Sequence, residues 1–86
     1  MLFVFPEVKV QSMWMKGMLI PIDIVFADEK GKIVKVYERV QPVVGPKYSS
    51  ILPAKYGIEC AAGEAARLGL VKGARIRIFG HPSNLN

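Results

Sequence analysis

A mainly β fold is predicted for this chain: a small antiparallel barrel or half-barrel of five to six strands, with one short helix near residues 63–68. Apolar and polar side chains alternate over several short segments, which is the period of a strand with one buried face. Turn residues separate these segments, and only one alanine-rich segment favours a helix. The chain has 86 residues, 51% of them hydrophobic, which suffices for a single modest core. We therefore expect one β domain over residues 1–80 and a flexible C-terminal tail over residues 81–86.

Two short strands are expected at the start of the chain. Residues 2–5 form a continuous apolar run, which Pro6 interrupts. Val8 and Val10 then alternate with polar neighbours, as in a half-buried strand.

The central strand is expected within residues 13–26. From position 20 to position 26 alternate side chains are apolar, whereas Asp23 belongs to the opposite face. Pro21 cannot donate a ladder hydrogen bond, and Gly17 tolerates the dihedral angles of a bend. We therefore expect a bend over residues 16–19 and a strand that begins at Ile22.

A polar turn is the clearest local signal in the sequence. Asp-Glu-Lys-Gly at residues 28–31 fits a type I turn with Gly31 in the left-handed region. The turn should join the central strand to an antiparallel partner at residues 32–40. Residues 41–53 are rich in proline, glycine and serine and predict a long loop, either functional or simply a crossover stiffened by prolines.

The last third of the chain predicts a strand, a helix and a closing strand. Residues 54–60 alternate cleanly, and residues 62–68 are alanine-rich, with Glu64 in the first turn where the helix dipole favours an anion. Gly69 should end the helix in the left-handed conformation, with the leucine after it as the hydrophobic contact. Residues 75–79 predict the final strand.

Composition narrows the classes of function. The formal net charge of +5 favours anionic partners. Cys60 is the single cysteine, which excludes an internal disulfide and gives no metal-ligand spacing. There is no apolar run of about 20 residues to span a membrane, and the first residues lack the basic leader of a signal peptide. We therefore expect a cytoplasmic protein with no membrane partner. No cofactor is expected either, since there is no glycine-rich phosphate loop.

Several segments occur in the order of one known family pattern. They are Met1-Leu2-Phe3-Val4-Phe5-Pro6, Trp14-Met15-Lys16, Ile20-Pro21-Ile22-Asp23-Ile24, residues 28–34, Ala54-Lys55-Tyr56 and residues 62–73. Through these segments the chain resembles the "uncharacterized ACR" family, a domain of unknown function found in archaea and bacteria, from Met1 to about Ile78. The resemblance implies a small, mostly β domain and brings no established activity with it.

Three departures from the family pattern affect the expected site and partner. The family's usual N-terminal segment is absent before Met1, and a missing strand would leave an open sheet edge. Because open edges invite pairing with another chain, we expect a homodimer through that edge. Gly17 replaces the polar residue that usually follows Trp-Met-Lys, and Ala74 stands where an aspartate is usual. Both weaken the transfer of a polar site from the family.

The candidate ligand-binding residues are Trp14, Lys16 and Asp23, which match the family pattern, together with Tyr48 from the predicted loop. A tryptophan beside a cation can hold a planar or anionic ligand by stacking and charge. Asp23 can hold Lys16 or cap a backbone group. The alternative is structural: Trp14 then packs against the protein, and Asp23 accepts hydrogen bonds from turn amides.

Basic residues carry the rival interpretation, a nucleic-acid-binding module. The candidates are Lys32, Lys35, Arg67, Lys72, Arg75 and Arg77. If the hairpin lysines and the C-terminal basic residues converge, they form a patch that neutralises phosphates, and Tyr37 and Phe79 are placed to stack on bases. The alternative is an ordinary solvated face.

Catalysis has the least support in the sequence. Cys60 and His81 are the only residues of their types, and His81 lies in the expected tail, so no Cys–His nucleophile is expected. The sequence leaves the question of an enzyme open. It predicts a small non-catalytic binding or interaction domain with an unknown ligand or protein partner, and nucleic-acid binding as the alternative.

Overall fold

One antiparallel sheet dominates the computed structural model, which describes residues 1–15 and 19–79. Along the described chain the elements are β1 (Leu2–Trp14), β2 (Ile22–Ala27), β3 (Ile33–Val40), β4 (Lys47–Ala61) and the helix α1 (Glu64–Arg67). The strand order is β1-β4-β2-β3, so β1 and β3 form the two edges. The prediction of a mainly β fold with one short helix is confirmed. The expected barrel or half-barrel of five to six strands is not confirmed, because the described residues form four strands in one sheet that does not close into a barrel.

Two predicted strand limits are wrong, and both involve proline. β1 continues through Pro6, which lies on an edge strand between the paired residues Val4 and Lys9. β4 begins at Lys47 and includes Pro53, so much of the predicted loop at residues 41–53 is strand. Before residue 56, β4 pairs with β1 alone. Each proline therefore lies where one side of its strand needs no ladder bond, and the strand continues.

The predicted closing strand at residues 75–79 is not formed. A single bridge joins Lys32 to Arg75, and the Ile76 N–H donates to the Gly31 carbonyl over 2.8 Å. A Cβ at position 31 would overlap the carbonyl oxygen of Ile76, so only glycine permits this approach. The segment after α1 is thereby held against the β2–β3 turn.

The β2–β3 turn has the predicted form. The Gly31 N–H donates to the Asp28 carbonyl over 3.0 Å, and Gly31 has a φ of 84°. The Asp28 carboxylate accepts the N–H groups of Lys30 and Lys32, each over 2.9 Å. Because all of these contacts span at most four residues, the sequence suffices to predict them.

The end of α1 also has the predicted form. Gly69 is left-handed, with a φ of 73°. The Leu70 N–H donates to the Ala65 carbonyl over 2.8 Å, and the Gly69 N–H donates to the Ala66 carbonyl over 3.1 Å. This is a Schellman motif, and Leu70 packs against the cluster that contains Ala65.

Two apolar clusters lie on opposite faces of β2, all six residues of which are buried. The inner cluster contains Met13, Met15, Ile22, Ile24, Phe26, Val34, Val40 and Ala54. The helix-side cluster contains Val25, Ile33 and Ala65, with Leu70 and Ile76 packed against it. β2 begins at Ile22 as predicted. The bend expected before it falls mainly on residues 16–18, and the expected tail falls on residues 81–86; both lie outside the described residues.

Candidate functional site

Trp14 is an exposed aromatic at the end of an edge strand. Its register partner is Lys47 at the start of β4. Directly paired residues on adjacent strands project to the same face, and the Lys47 ammonium lies 5.6 Å from the centroid of the indole ring. Trp14 is nonetheless 53% exposed, so much of the ring is open to a ligand.

An apolar cleft adjoins this tryptophan. Its main part has a volume of about 400 Å³ and is lined by Met1, Phe3, Phe5, Ser12, Met13, Trp14 and Glu59. A smaller part of about 210 Å³ is lined by Ser12, Met13, Trp14 and Lys47. Both parts together are called the Trp14 cleft below. The apolar walls, the exposed ring and the nearby ammonium are suited to a planar ligand with a negative group.

The predicted cation Lys16 lies outside the described residues, and Lys47 is the cation found beside the ring. Sequence reasoning missed Lys47 because it was assigned to a loop. The contact depends on the pairing of β1 with β4, and the two residues are far apart in the chain. Nothing in the local pattern of Lys47 signals this position.

Asp23 lines neither part of the Trp14 cleft and is fully buried. One carboxylate oxygen accepts the Arg39 N–H, and the other accepts the N–H groups of Gly63 and Ala65, each over 2.9 Å. The carboxylate therefore joins β2 to a bulge in β3 and to the start of α1. Of the two interpretations open for Asp23, the capping of backbone amides matches this geometry.

Tyr48 is half-buried and lines neither part of the Trp14 cleft. Its ring packs against the inner cluster and meets the Tyr37 ring edge-on, with 5.2 Å between the centroids. The Tyr37 hydroxyl donates to the Ser49 carbonyl over 2.7 Å. Both tyrosines thus fasten the start of β4 to β3.

Two titratable groups near the centre of β4 are affected by burial. Burial raises the pKa of the Glu59 carboxyl, and the N-terminal ammonium partly opposes the shift. The pKa of the Cys60 thiol is raised first by burial and next by the charge of Asp23. Cys60 is half-buried against the helix-side cluster. Among residues 1–15 and 19–79, no three histidine, cysteine, aspartate or glutamate side chains are grouped to hold a metal ion.

The predicted basic residues separate into two groups. Arg67 is paired with Glu64 over 2.6 Å, and the Lys35 ammonium lies 4.9 Å from the centroid of the Tyr37 ring. The others, Lys32, Lys72, Arg75 and Arg77, line two grooves beside the β2–β3 turn. Lys30, another lysine of the hairpin, lines both grooves.

Comparison with known proteins decides the family. The family described as DUF192, Uncharacterized ACR, matches residues 1–78. The chain belongs to this family. The resemblance inferred from the sequence segments is thereby confirmed, and the family description brings no activity with it.

Two solved structures have a similar fold. A protein from Sinorhizobium meliloti, described as a candidate transcription regulator, has a TM-score of 0.79 and 35% identity, over 86% of this chain and 57% of that one. A protein of unknown function from Novosphingobium aromaticivorans has a TM-score of 0.81 and 23% identity, over 90% of this chain and 55% of that one. The chain thus spans little more than half the length of either protein. No curated protein matches it.

In the part of the chain that is described, no helix has the length and apolar character needed to cross a membrane.

Proposed function

We propose that this member of the DUF192 family is a binding domain whose Trp14 cleft takes a planar ligand with a carboxylate or similar anionic group. The observation that carries the proposal is the half-exposed Trp14 ring, held beside the Lys47 ammonium at an apolar cleft. A large aromatic surface left open to water is a usual feature of recognition sites.

The charge of Lys47 supports an anionic ligand. The ion pairs of the described residues are Glu7 with Lys9 and Glu64 with Arg67, so Lys47 has no carboxylate partner there. Its contact with the exposed ring is worth only about 0.5–1 kcal/mol. A ligand carboxylate can therefore engage the ammonium while its ring lies on Trp14. Glu59 lines the larger part of the cleft and Lys47 the smaller, so the anionic end belongs at Lys47.

The test uses Trp14 as its own reporter, because it is the single tryptophan and gives one indole N–H resonance. Benzoate is titrated against benzyl alcohol, which has the same ring without the charge. We expect benzoate to shift the indole signal with saturation and benzyl alcohol to bind more weakly. Lys47→Gln should weaken benzoate binding roughly fivefold, the value of one exposed charge contact of about 1 kcal/mol, and leave benzyl alcohol unaffected.

Lys55→Gln is the matched control, since the Lys55 ammonium contacts the Pro6 carbonyl rather than the cleft. It should leave benzoate binding unchanged. An indole resonance that does not respond to benzoate would contradict the proposal. So would a loss in Lys55→Gln equal to that in Lys47→Gln.

The interaction partner we propose is a second copy of the chain along the β1 edge. The edge position of β1 supports this pairing, as does the exposure of its apolar residues Leu2, Val8 and Val10, at 44%, 44% and 51%. Light scattering should give a dimer mass, and charged substitutions Val8→Lys and Val10→Lys together should give a monomer. A monomer mass for the unaltered protein at high concentration would refute the dimer.

A further inference from the structure

We infer that the grooves beside the β2–β3 turn form a second site, which binds single-stranded nucleic acid. This site is separate from the Trp14 cleft and does not depend on the ligand proposed there. One groove has a volume of about 490 Å³ and is lined by Lys30, Arg75, Arg77, Tyr56 and Phe79, among others. The other has a volume of about 540 Å³, and its lining includes Lys30, Lys32 and Lys72. Together they are called the hairpin groove.

The fold itself brings these cations together. Gly31 lets the segment after α1 dock on the turn, through the Ile76 N–H bond and the Lys32–Arg75 bridge. Residues from two distant parts of the chain therefore lie on both sides of the turn. Lys30 lines both grooves and so joins their two groups of cations at the hairpin tip, where Glu29 also lines both.

The hairpin groove carries more positive than negative charge. Its five cations have no ion pair among the described residues, where the paired carboxylates are Glu7 and Glu64. Two carboxylates, Asp28 and Glu29, also line the groove. Asp28 accepts two backbone N–H groups of the turn, and with both carboxylates counted the five cations still leave an excess of three positive charges. A surface with an excess of positive charge attracts a polyanion.

An exposed aromatic side chain decides which polyanion the groove fits. Phe79, which lines the groove together with Arg77, is 82% exposed. A phosphate chain without bases would gain no binding energy from such a ring, because it has nothing to stack on it. Unpaired bases stack on it, and the cations follow the backbone, which is the combination that single-strand-binding surfaces use. Tyr37, the other aromatic expected to stack, lies instead against the inner cluster.

The test measures the anisotropy of a fluorescein-labelled oligothymidylate of about ten nucleotides at several salt concentrations. Arg75→Gln with Arg77→Gln should weaken binding at least tenfold at low salt and reduce the slope of log K against log salt by roughly 1.4, since each phosphate contact contributes about 0.7 on single strands. Arg67→Gln removes the same charge from a residue paired with Glu64, so this matched control should change neither quantity.

Phe79→Ala should weaken binding roughly tenfold and leave the salt slope unchanged, because stacking releases no counterions. Phe79→Tyr should restore the affinity. Inorganic polyphosphate and a duplex of equal length are the competitors, and both should compete less well than the single strand. Circular dichroism verifies that each variant is folded.

Three results would overturn the inference: no binding at low salt, equal competition by duplex or polyphosphate, or equal losses in Arg67→Gln and the double variant. Lys47→Gln should bind the oligonucleotide normally. This result would distinguish a failure of the nucleic-acid proposal for the hairpin groove from a failure of the ligand proposal for the Trp14 cleft.

Discussion

Two positions in the sheet hold a non-glycine residue at positive φ, and the structure fixes them in different ways. Arg39, with a φ of 53°, lies in a bulge of β3 opposite Asp23. Ile51, with a φ of 66°, lies in an insertion of β4 opposite Gln11. The first is fastened by a buried carboxylate, and the second by serine hydroxyls. The two positions differ in the number and strength of the hydrogen bonds that hold the irregular backbone in place.

The carboxylate at the first position joins more of the fold. Asp23 accepts one N–H from β3 and two from the start of α1, and it has no exposed surface. Charge-assisted hydrogen bonds are roughly twice as strong as neutral ones.

At the second position the hydroxyls are neutral, and their hydrogen bonds reach fewer elements of the fold. The Ser50 hydroxyl accepts the Gln11 N–H over 2.9 Å and donates to the Leu52 carbonyl over 2.6 Å. The Ser49 hydroxyl accepts the Ile51 N–H over 2.9 Å. These bonds involve β1 and β4 only, so their loss should have a smaller effect.

Asp23→Ala should have the largest effect. It leaves three backbone N–H groups without their acceptor and should lower the free energy of unfolding by about 3–5 kcal/mol. Urea denaturation measures this loss. Asp23→Asn retains an acceptor oxygen and should lose less. A loss below about 1 kcal/mol in Asp23→Ala would show that water replaces the carboxylate.

Ser50→Ala tests the second position with the same readout. The hydroxyl is fully buried, so its removal leaves the Gln11 N–H and the Leu52 carbonyl without this partner. We expect a loss of about 1–2 kcal/mol in the free energy of unfolding. A loss equal to that of Asp23→Ala would remove the distinction between the two positions.

Ile51→Asn should stabilise the protein. A β-branched residue in the left-handed region carries strain of about 1–2 kcal/mol, and asparagine adopts that region more readily. Because Ile51 is 61% exposed, little packing is lost, and we expect a net gain of about 1 kcal/mol in denaturant unfolding. Leu52→Asn, at a neighbouring residue without a positive φ, is the control and should give no gain. Destabilisation by Ile51→Asn would mean that the isoleucine side chain itself packs in an important contact.

The sequence predicts the parts of this fold that depend on neighbouring residues. The turn ending at Gly31 and the helix end at Gly69 are closed by bonds over a few residues, so their residue types suffice. The partners of Asp23 and Trp14 are set by strand register and by the return of α1 to the sheet, which no local pattern encodes. Nothing in the sequence predicts the bulge at Ile51, since β-branched residues rarely adopt the left-handed conformation. The ligand-binding role of Trp14 stays a prediction.

Glu59→Gln should have the smallest effect on the free energy of unfolding. Its expected sign is opposite to that of the substitutions at Asp23. The Glu59 carboxyl is half-buried in β4, and burial raises its pKa above the ordinary 4.5. Ionising the carboxyl therefore costs more in the folded protein than in the unfolded chain. Stability contributed by the neutral form is present below pH 4.5 and is lost as the pH rises through the raised pKa of the folded state.

Glu59→Gln should consequently raise the free energy of unfolding at neutral pH, and the gain should disappear below about pH 4, where the carboxyl is neutral in both states. Urea denaturation at the two pH values measures the difference. Glu38→Gln, at an exposed position of β3, corrects for the change in net charge. A gain that persists at low pH would assign the effect to packing. A loss at neutral pH would show that the Glu59 carboxylate, like that of Asp23, stabilises the sheet, with its attraction to the N-terminal ammonium outweighing the cost of burial.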